Sequence, residues 1–257
     1  MKICDIHTHS SNSFDAENTV EEMCNSACNK GLFALAITDH CEAPEILLGS
    51  ESEYGDFNKL IPKSNYETSI MQDRYKGKIK ILRGIELGEP MHNDECTKKA
   101  LCFGDFDIII ASVHNLRNRP DFYYMDFKKE DAHIILDMYF DASFDSFCTL
   151  AHLTYPLRYI KRDTGVIPSL SPYRDKIDLI YETLIKKDKA LEINVSGLFK
   201  GLGETLPAFD EIKRYHDLGG KYITLGSDAH NINDVGRDIE KGIELAFKAG
   251  FKSYYIY

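Results

Sequence analysis

The chain has 257 residues, 43% of them hydrophobic, with a formal net charge of −10, seven cysteines and no tryptophan. That length buries a full core as one large α/β domain, no uncharged run approaches the ~18–20 residues that span a bilayer, and the cysteines read as reduced thiols of a cytoplasmic protein. The acidic balance argues against a nucleic-acid or anionic-membrane surface, which would repel it, yet it leaves room for a small anionic substrate where bound metal ions reverse the local field.

In chain order, the first apolar run, Lys2–Ile6, enters a strand pattern at once, which argues against a leader peptide. Next comes the clearest helical pattern, Thr19–Lys30, with Thr19 and Glu22 as a capping box and Gly31 as its stop. Further strands are predicted at Phe33–Thr38, Ile79–Leu87, Asp107–Val113, Phe147–Ala151, Ala190–Val195 and Lys221–Leu225, with a short eighth run at Ser253–Ile256. Helical patterns fall between them, near Asn65–Tyr75, Lys129–Ala142, Pro172–Lys187, Pro207–Leu218 and Arg237–Ala249. Strand followed by helix, over and over, reads as parallel βα units in a single domain. A barrel is the economical closure and a doubly wound open sheet its rival. Two long segments break the rhythm: Cys41 to about Asn58, acidic, with Pro44, Gly49 and Gly55, and His152–Leu170, basic, with Arg158, Lys161 and Arg162. Loops of that length in a compact domain are usually functional, so both are expected beside the active site.

The histidines carry the strongest signal. His7 and His9 follow the first strand, His40 the second, His114 the fourth, His152 the fifth and His230 the seventh; Glu86 ends the third, and Asp228 stands two residues before His230. In a parallel barrel those ends converge on one mouth. Imidazole with carboxylate suits zinc, manganese or iron in open hydrolytic sites. Eight candidates exceed the ligand needs of one ion, so two or three are implied, and such pairs clamp the attacking and leaving oxygens of an in-line displacement. Taken singly, each histidine is more simply a satisfied structural residue; their convergence tips the balance. His92, His133 and His216 fall off the rim and read as surface residues. There is no Cys-x-x-Cys pair, no Walker A loop and no Gly-x-Ser-x-Gly elbow.

Asp5-Ile6-His7-Thr8-His9, Thr38-Asp39-His40, Gly84-Ile85-Glu86, Ser112-Val113-His114 and Ser227-Asp228-Ala229-His230 resemble, in order and spacing, the motifs of the PHP (polymerase and histidinol phosphatase) family. Within it, Ala151-His152-Leu153-Thr154 with Arg158, and Glu192-Ile193-Asn194-Val195-Ser196-Gly197, look most like the histidinol-phosphate phosphatases. The resemblance implies a distorted, TIM-like (β/α)7 barrel with a trinuclear site, and it adds Asp15 as a ligand. It would place one ion on His7, His9, Glu86 and Asp228, a second on Glu86, His114 and His152, and a third on Asp15, His40 and His230.

The activity so implied is metal-dependent hydrolysis of a small phosphomonoester, L-histidinol phosphate, by a hydroxide shared between ions. Arg158 is the expected phosphate clamp, because a guanidinium matches phosphate bidentately; Lys200 and Arg117 are further phosphate-binding candidates. The leaving alkoxide takes its proton from metal-bound water, Asp228 or His230. The substrate's cationic amine calls for a carboxylate, which the acidic 41–57 segment offers in Glu42, Glu45, Glu51, Glu53 and Asp56, beside Tyr54. Rival readings are a phosphoesterase of nucleotides, oligonucleotides or sugar phosphates, an amidohydrolase-type deaminase, and a non-catalytic metal-binding module.

Overall fold

The computed structural model describes residues 2–141 and 148–255. Its strands are β1 (Cys4–Asp5), β2 (Ala34–Ile37), β3 (His40–Glu42), β4 (Lys80–Gly88), β5 (Ile108–Ser112), β6 (Thr149–Leu150), β7 (Ala190–Asn194) and β8 (Ile223–Gly226). All pairings are parallel, in the order β1-β2-β4-β5-β6-β7-β8, with β3 also on β4. Ala34 of β2 lies opposite Lys80, and His40 of β3 opposite Glu86. β2 and β3 therefore share one strand position, interrupted at Thr38-Asp39, and the ring has seven positions. It closes through the residues that follow β1 and β8. Ile6 N–H donates to the Leu225 carbonyl at 2.9 Å, Asp228 N–H to that of His7 at 2.9 Å, and His9 N–H to that of Ala229 at 2.8 Å. The architecture is the distorted (β/α)7 barrel rather than the open sheet.

Strand alternation sorts the side chains. Cys4, Ile6, Ala34, Ala36, Leu82, Ile108, Ile110 and Ala151 form one buried cluster, whose small members suit a narrow interior. Leu35, Ile37 and Ile81 instead pack with Val20, Met23 and Met71 of the helical layer. The helices are α1 (Val20–Asn29), α2 (Phe57–Arg74), α3 (Asp94–Ala100), α4 (Ala132–Tyr139), α5 (Pro156–Thr164), α6 (Arg174–Lys186), α7 (Phe209–Asp217) and α8 (Ile239–Ala249). The Thr19–Glu22 capping box on α1 forms as read from the sequence.

Several elements differ from the sequence reading. α2 starts at Phe57 rather than Asn65, because Asp56 caps it and Pro62 is accommodated inside it. Segment 41–58 is not an irregular loop: it holds β3, two 3-10 turns (Ala43–Leu47 and Gly49–Glu51) and the start of α2. About half of segment 152–170 is α5, which opens on Pro156 and stops at Gly165 in the left-handed conformation, φ 76°. The short α3, capped by Asn93, falls where no helix is expected. The eighth apolar run adds no strand over residues 253–255; Tyr255 N–H donates once to the Ile223 carbonyl, at 2.7 Å. Ala142, Phe147 and Ile256, each at one end of an expected element, lie outside the described residues. Among those described, no helix is long and apolar enough to cross a membrane, and no disulfide forms.

Candidate metal centre

Because every strand is parallel, residues at or just past the strand ends share one face of the barrel. His7 and His9 continue from β1, His40 stands in β3 and Glu86 in β4; His114, His152 and Asp228 each follow a strand by two residues, and His230 follows β8 by four. The structure brings all of them together with Asp15, from the segment between β1 and α1. Most of the set is withdrawn from solvent: His7 and His9 are 0% exposed and Glu86 is 1% exposed.

Glu86 is the hub. One carboxylate oxygen, Oε1, lies 3.0 Å from His152 Nε2 and 3.3 Å from His114 Nε2. The other, Oε2, lies 2.9 Å from His40 Nδ1, 3.3 Å from His7 Nε2 and 3.5 Å from His9 Nε2. At the rim, Asp15 reaches His230 Nε2 at 3.1 Å and His40 Nε2 at 3.7 Å. Four overlapping sets each present ligand atoms within 4.8 Å of one another: His7–His9–Asp228, His7–Glu86–His152, His9–His40–His230 and His40–Glu42–His114. The grouping is more entangled than three separate ligand sets, since His9 serves two of them and Glu42 enters one.

Two carboxylates that the motifs do not mark as ligands set the orientation of these imidazoles. Glu192, in β7, holds His7 Nδ1 at 2.7 Å and accepts the His152 backbone N–H at 2.8 Å. Glu42 lies 3.2 Å from His114 Nδ1. A carboxylate on Nδ1 keeps the proton there and turns the bare Nε2 inward, the usual arrangement behind a metal-bound imidazole. Close packing permits it. A Cβ on Gly226 would stand 2.3 Å from Glu192 Oε1 and 2.4 Å from His7 Cβ, and one on Gly88 would overlap the Glu42 carboxylate. His152 (φ 22°) and Asp228 (φ 53°) adopt left-handed backbone, a strain of ~1–3 kcal/mol each that clusters at functional sites.

With Nδ1 of His7 so engaged, its Nε2 faces His9 Nε2 at only 3.1 Å, while Glu86 Oε2 is buried without a hydrogen-bond donor. Lone pairs and an unpartnered carboxylate oxygen aimed at one point call for a cation between them. Neighbouring charges shift the titration of these groups in opposite directions. Burial opposes charge on His7, but Glu192 and Glu86 drive its pKa well above the ordinary value. His9 goes the other way, pushed well down by burial and by His40 and His230. Burial would raise Asp228, yet Lys200, His230, His7 and Arg158 hold it well below the usual carboxylate range. The donor set fits divalent metal ions.

Beside the cluster a cavity of about 450 Å³ is lined by Arg158, Lys200, Asp121, Tyr123, Tyr155 and Tyr159, among others. Arg158 is 8% exposed. Its NH2 donates to Ser196 Oγ, while its Nε is a buried donor with no acceptor among the described residues. Lys200 Nζ donates to the Asp228 carbonyl at 2.9 Å. Arg117 does not join them: it lines the neighbouring cavity, and its guanidinium donates to the carbonyl of His92 at 2.9 Å. His92 lines that second cavity too, so it is not simply a surface residue. His133 pairs with Tyr173 and His216 with Asp217, on the helices away from the mouth.

The PHP domain signature matches residues 5–196. The chain is 31% identical to a probable histidinol-phosphatase of Thermotoga maritima, over 96% of this chain and 93% of that protein. It is 30% identical to a histidinol-phosphatase of Lactococcus lactis subsp. lactis, over 98% and 93% respectively. The crystal structure of histidinol phosphate phosphatase from Lactococcus lactis, complexed with zinc, L-histidinol and phosphate, superposes with a TM-score of 0.78 at 26% identity, covering 98% of this chain and 95% of that one.

Proposed function

The chain belongs to the PHP domain family, and on that premise we propose that it is a phosphatase that hydrolyses L-histidinol phosphate to L-histidinol and phosphate, using two or three divalent transition-metal ions. The observation that carries this reading is Arg158, a nearly buried guanidinium that lines the same cavity as His40, Glu86, His114, His152, Asp228 and His230. A guanidinium at such a cluster matches a phosphate through charge-assisted hydrogen bonds. The superposed Lactococcus structure holds zinc, L-histidinol and phosphate together, the three components this cavity would accommodate.

His7, His9, Asp15, His40, Glu86, His114, His152, Asp228 and His230 would hold the ions, with Glu86 shared among them. When bound, zinc, manganese or iron supplies Lewis acidity toward the phosphoryl oxygens and lowers the pKa of water. The remaining work falls to the protein. Arg158 and Lys200 bind and orient the phosphate. Lys200 lies 3.7 Å from Asp228 Oδ1 and helps keep that carboxylate anionic, which suits it to accept a proton from the attacking water and pass it to the leaving alkoxide. His230 donates Nδ1–H to the Asp228 carbonyl at 2.9 Å and turns Nε2 toward Asp15, so the catalytic pair of Asp228 and His230 is fixed before substrate arrives. Tyr155 and Tyr159, both largely buried, bond to each other at 2.7 Å and wall off solvent on the Arg158 side.

Phosphate release by protein loaded with manganese, zinc or iron tests the substrate. L-Histidinol phosphate should give a kcat/KM of about 10⁴ M⁻¹s⁻¹ or more, and at least ~100-fold above a nucleotide monophosphate or an aryl phosphate. Equal weak rates on all three would retain a metal phosphoesterase and discard this substrate.

A further inference from the structure

The cavity at the metal cluster carries charges of both signs: Arg158 and Lys200 line it, and so does Asp121. Five carboxylates line the cavity, and four are compensated by the protein. Asp15 has His230 at 3.1 Å, Glu42 has His114 at 3.2 Å, Glu86 has His152 at 3.0 Å and Asp228 has Lys200 at 3.7 Å. Asp121 forms no ion pair among the described residues.

Its position is nevertheless built. The hairpin after β5 closes with Asn115 and Asp121 bridged antiparallel, and Phe122 N–H donates to the His114 carbonyl at 2.9 Å. That ties Asp121 to the backbone of a proposed metal ligand. Asp121 Oδ1 accepts the Tyr123 N–H at 2.6 Å, which leaves Oδ2 for the cavity. Burial pushes the Asp121 carboxyl up against the opposing pull of His114 and the Tyr123 N–H. Arg162, the nearby base, is committed elsewhere: it bonds Asp163 and the carbonyls of Tyr123 and Met125.

The acidic 41–57 segment does not take this place. Glu51 and Glu53 are exposed, Asp56 caps α2, Glu45 lines only the neighbouring cavity, and Glu42 is held by His114.

We propose that Asp121 is the specificity determinant of the site: its carboxylate receives the positive charge of the departing alcohol, an ammonium or protonated imidazole, while the phosphate lies toward Arg158. Tyr123, exposed and lining the same cavity, supplies an aromatic wall beside it. The substrates so selected are phosphomonoesters whose alcohol carries a cation beside the ester. This role rests on the phosphatase reading above.

The test compares wild type and Asp121→Asn, both metal-loaded, on L-histidinol phosphate and on 4-nitrophenyl phosphate, whose leaving group carries no cation. The KM for L-histidinol phosphate should rise about 10–100-fold with kcat little changed. Kinetics on 4-nitrophenyl phosphate and inhibition by inorganic phosphate should stay at wild-type values, and calorimetric affinity for L-histidinol should fall by the same factor as KM rises. Equal losses on both esters would mark Asp121 as merely structural and overturn the proposal, as would an unchanged KM for L-histidinol phosphate. A wild-type protein that hydrolyses 4-nitrophenyl phosphate but not L-histidinol phosphate would overturn the functional reading itself, and this role with it.

Discussion

Replacing Glu86 with Gln should lower kcat/KM for L-histidinol phosphate by ~10³-fold or more, a loss of about 4 kcal/mol of transition-state stabilisation, and should lower the metal content with it. Both oxygens of this carboxylate are in use. One faces His114 and His152, the other His7, His9 and His40, all within 3.5 Å. An amide keeps the shape but turns one oxygen into an N–H donor aimed at nitrogens and cations alike, and it removes the negative charge shared by His7, His9, His40, His114 and His152. Burial would raise the pKa of Glu86, yet His7, His40 and His114 hold it well below the ordinary carboxylate value, so the charge is present at neutral pH. Elemental analysis beside kinetics, with circular dichroism to confirm folding, checks the expectation. Full metal content with a rate within tenfold of wild type would contradict it.

The second large effect falls on Arg158. Removing its side chain by Arg158→Ala should raise KM for the phosphoester about 10–100-fold, the worth of charge-assisted hydrogen bonds to a phosphate, while leaving metal content unchanged. Arg158→Lys should recover little, because an ammonium retains the charge but not the planar array of donors that can bond Ser196 and a phosphate at once. Ser196 matters through the same geometry: it accepts from Arg158 NH2, and its Oγ sits 2.5 Å from Asn194 Oδ1, which fixes the guanidinium in plane. Steady-state kinetics with metal analysis separates the two roles. An unchanged KM would show that the phosphate lies elsewhere.

Much of this arrangement is legible in the sequence because one regularity governs it. Parallel strands put their C-terminal ends on one side, so a histidine or carboxylate after each apolar run already predicts a shared mouth, and His7, His9, His40, Glu86, His114, His152, Asp228 and His230 all reach it. What the sequence hides is held by contacts across the barrel. Glu192 heads a motif that carries the family resemblance, but only its 2.7 Å contact with His7 shows what it does. Glu42 stands in a strand of three residues, too short to give a period-2 pattern. β3 itself pairs with a strand some forty positions away in the chain, a partnership no local pattern encodes.

The misread segments have local causes. The run with Arg158, Lys161 and Arg162 looks like a basic loop, yet these side chains sit on a nine-residue helix, with Arg158 turned inward and Lys161 bonded to the Leu202 carbonyl. Pro62 masks the first turns of α2, although proline early in a helix removes only one backbone bond. The aromatic tail at Tyr254 and Tyr255 has strand-like residues but forms no strand over the described residues, where Tyr255 N–H donates to the Ile223 carbonyl at the start of β8. Asp121 is hidden for a further reason. It belongs to a loop with neither periodicity nor motif, and its meaning comes from what surrounds it in space.

The most direct test of the whole account is phosphate release from L-histidinol phosphate by protein stripped with a chelator and then reloaded, with metal counted at each stage. The account predicts that stripping abolishes release and that reloading restores it as the metal content reaches two or three ions per chain. Release that persists undiminished in stripped protein, or protein that never binds more than a fraction of one ion, would contradict it.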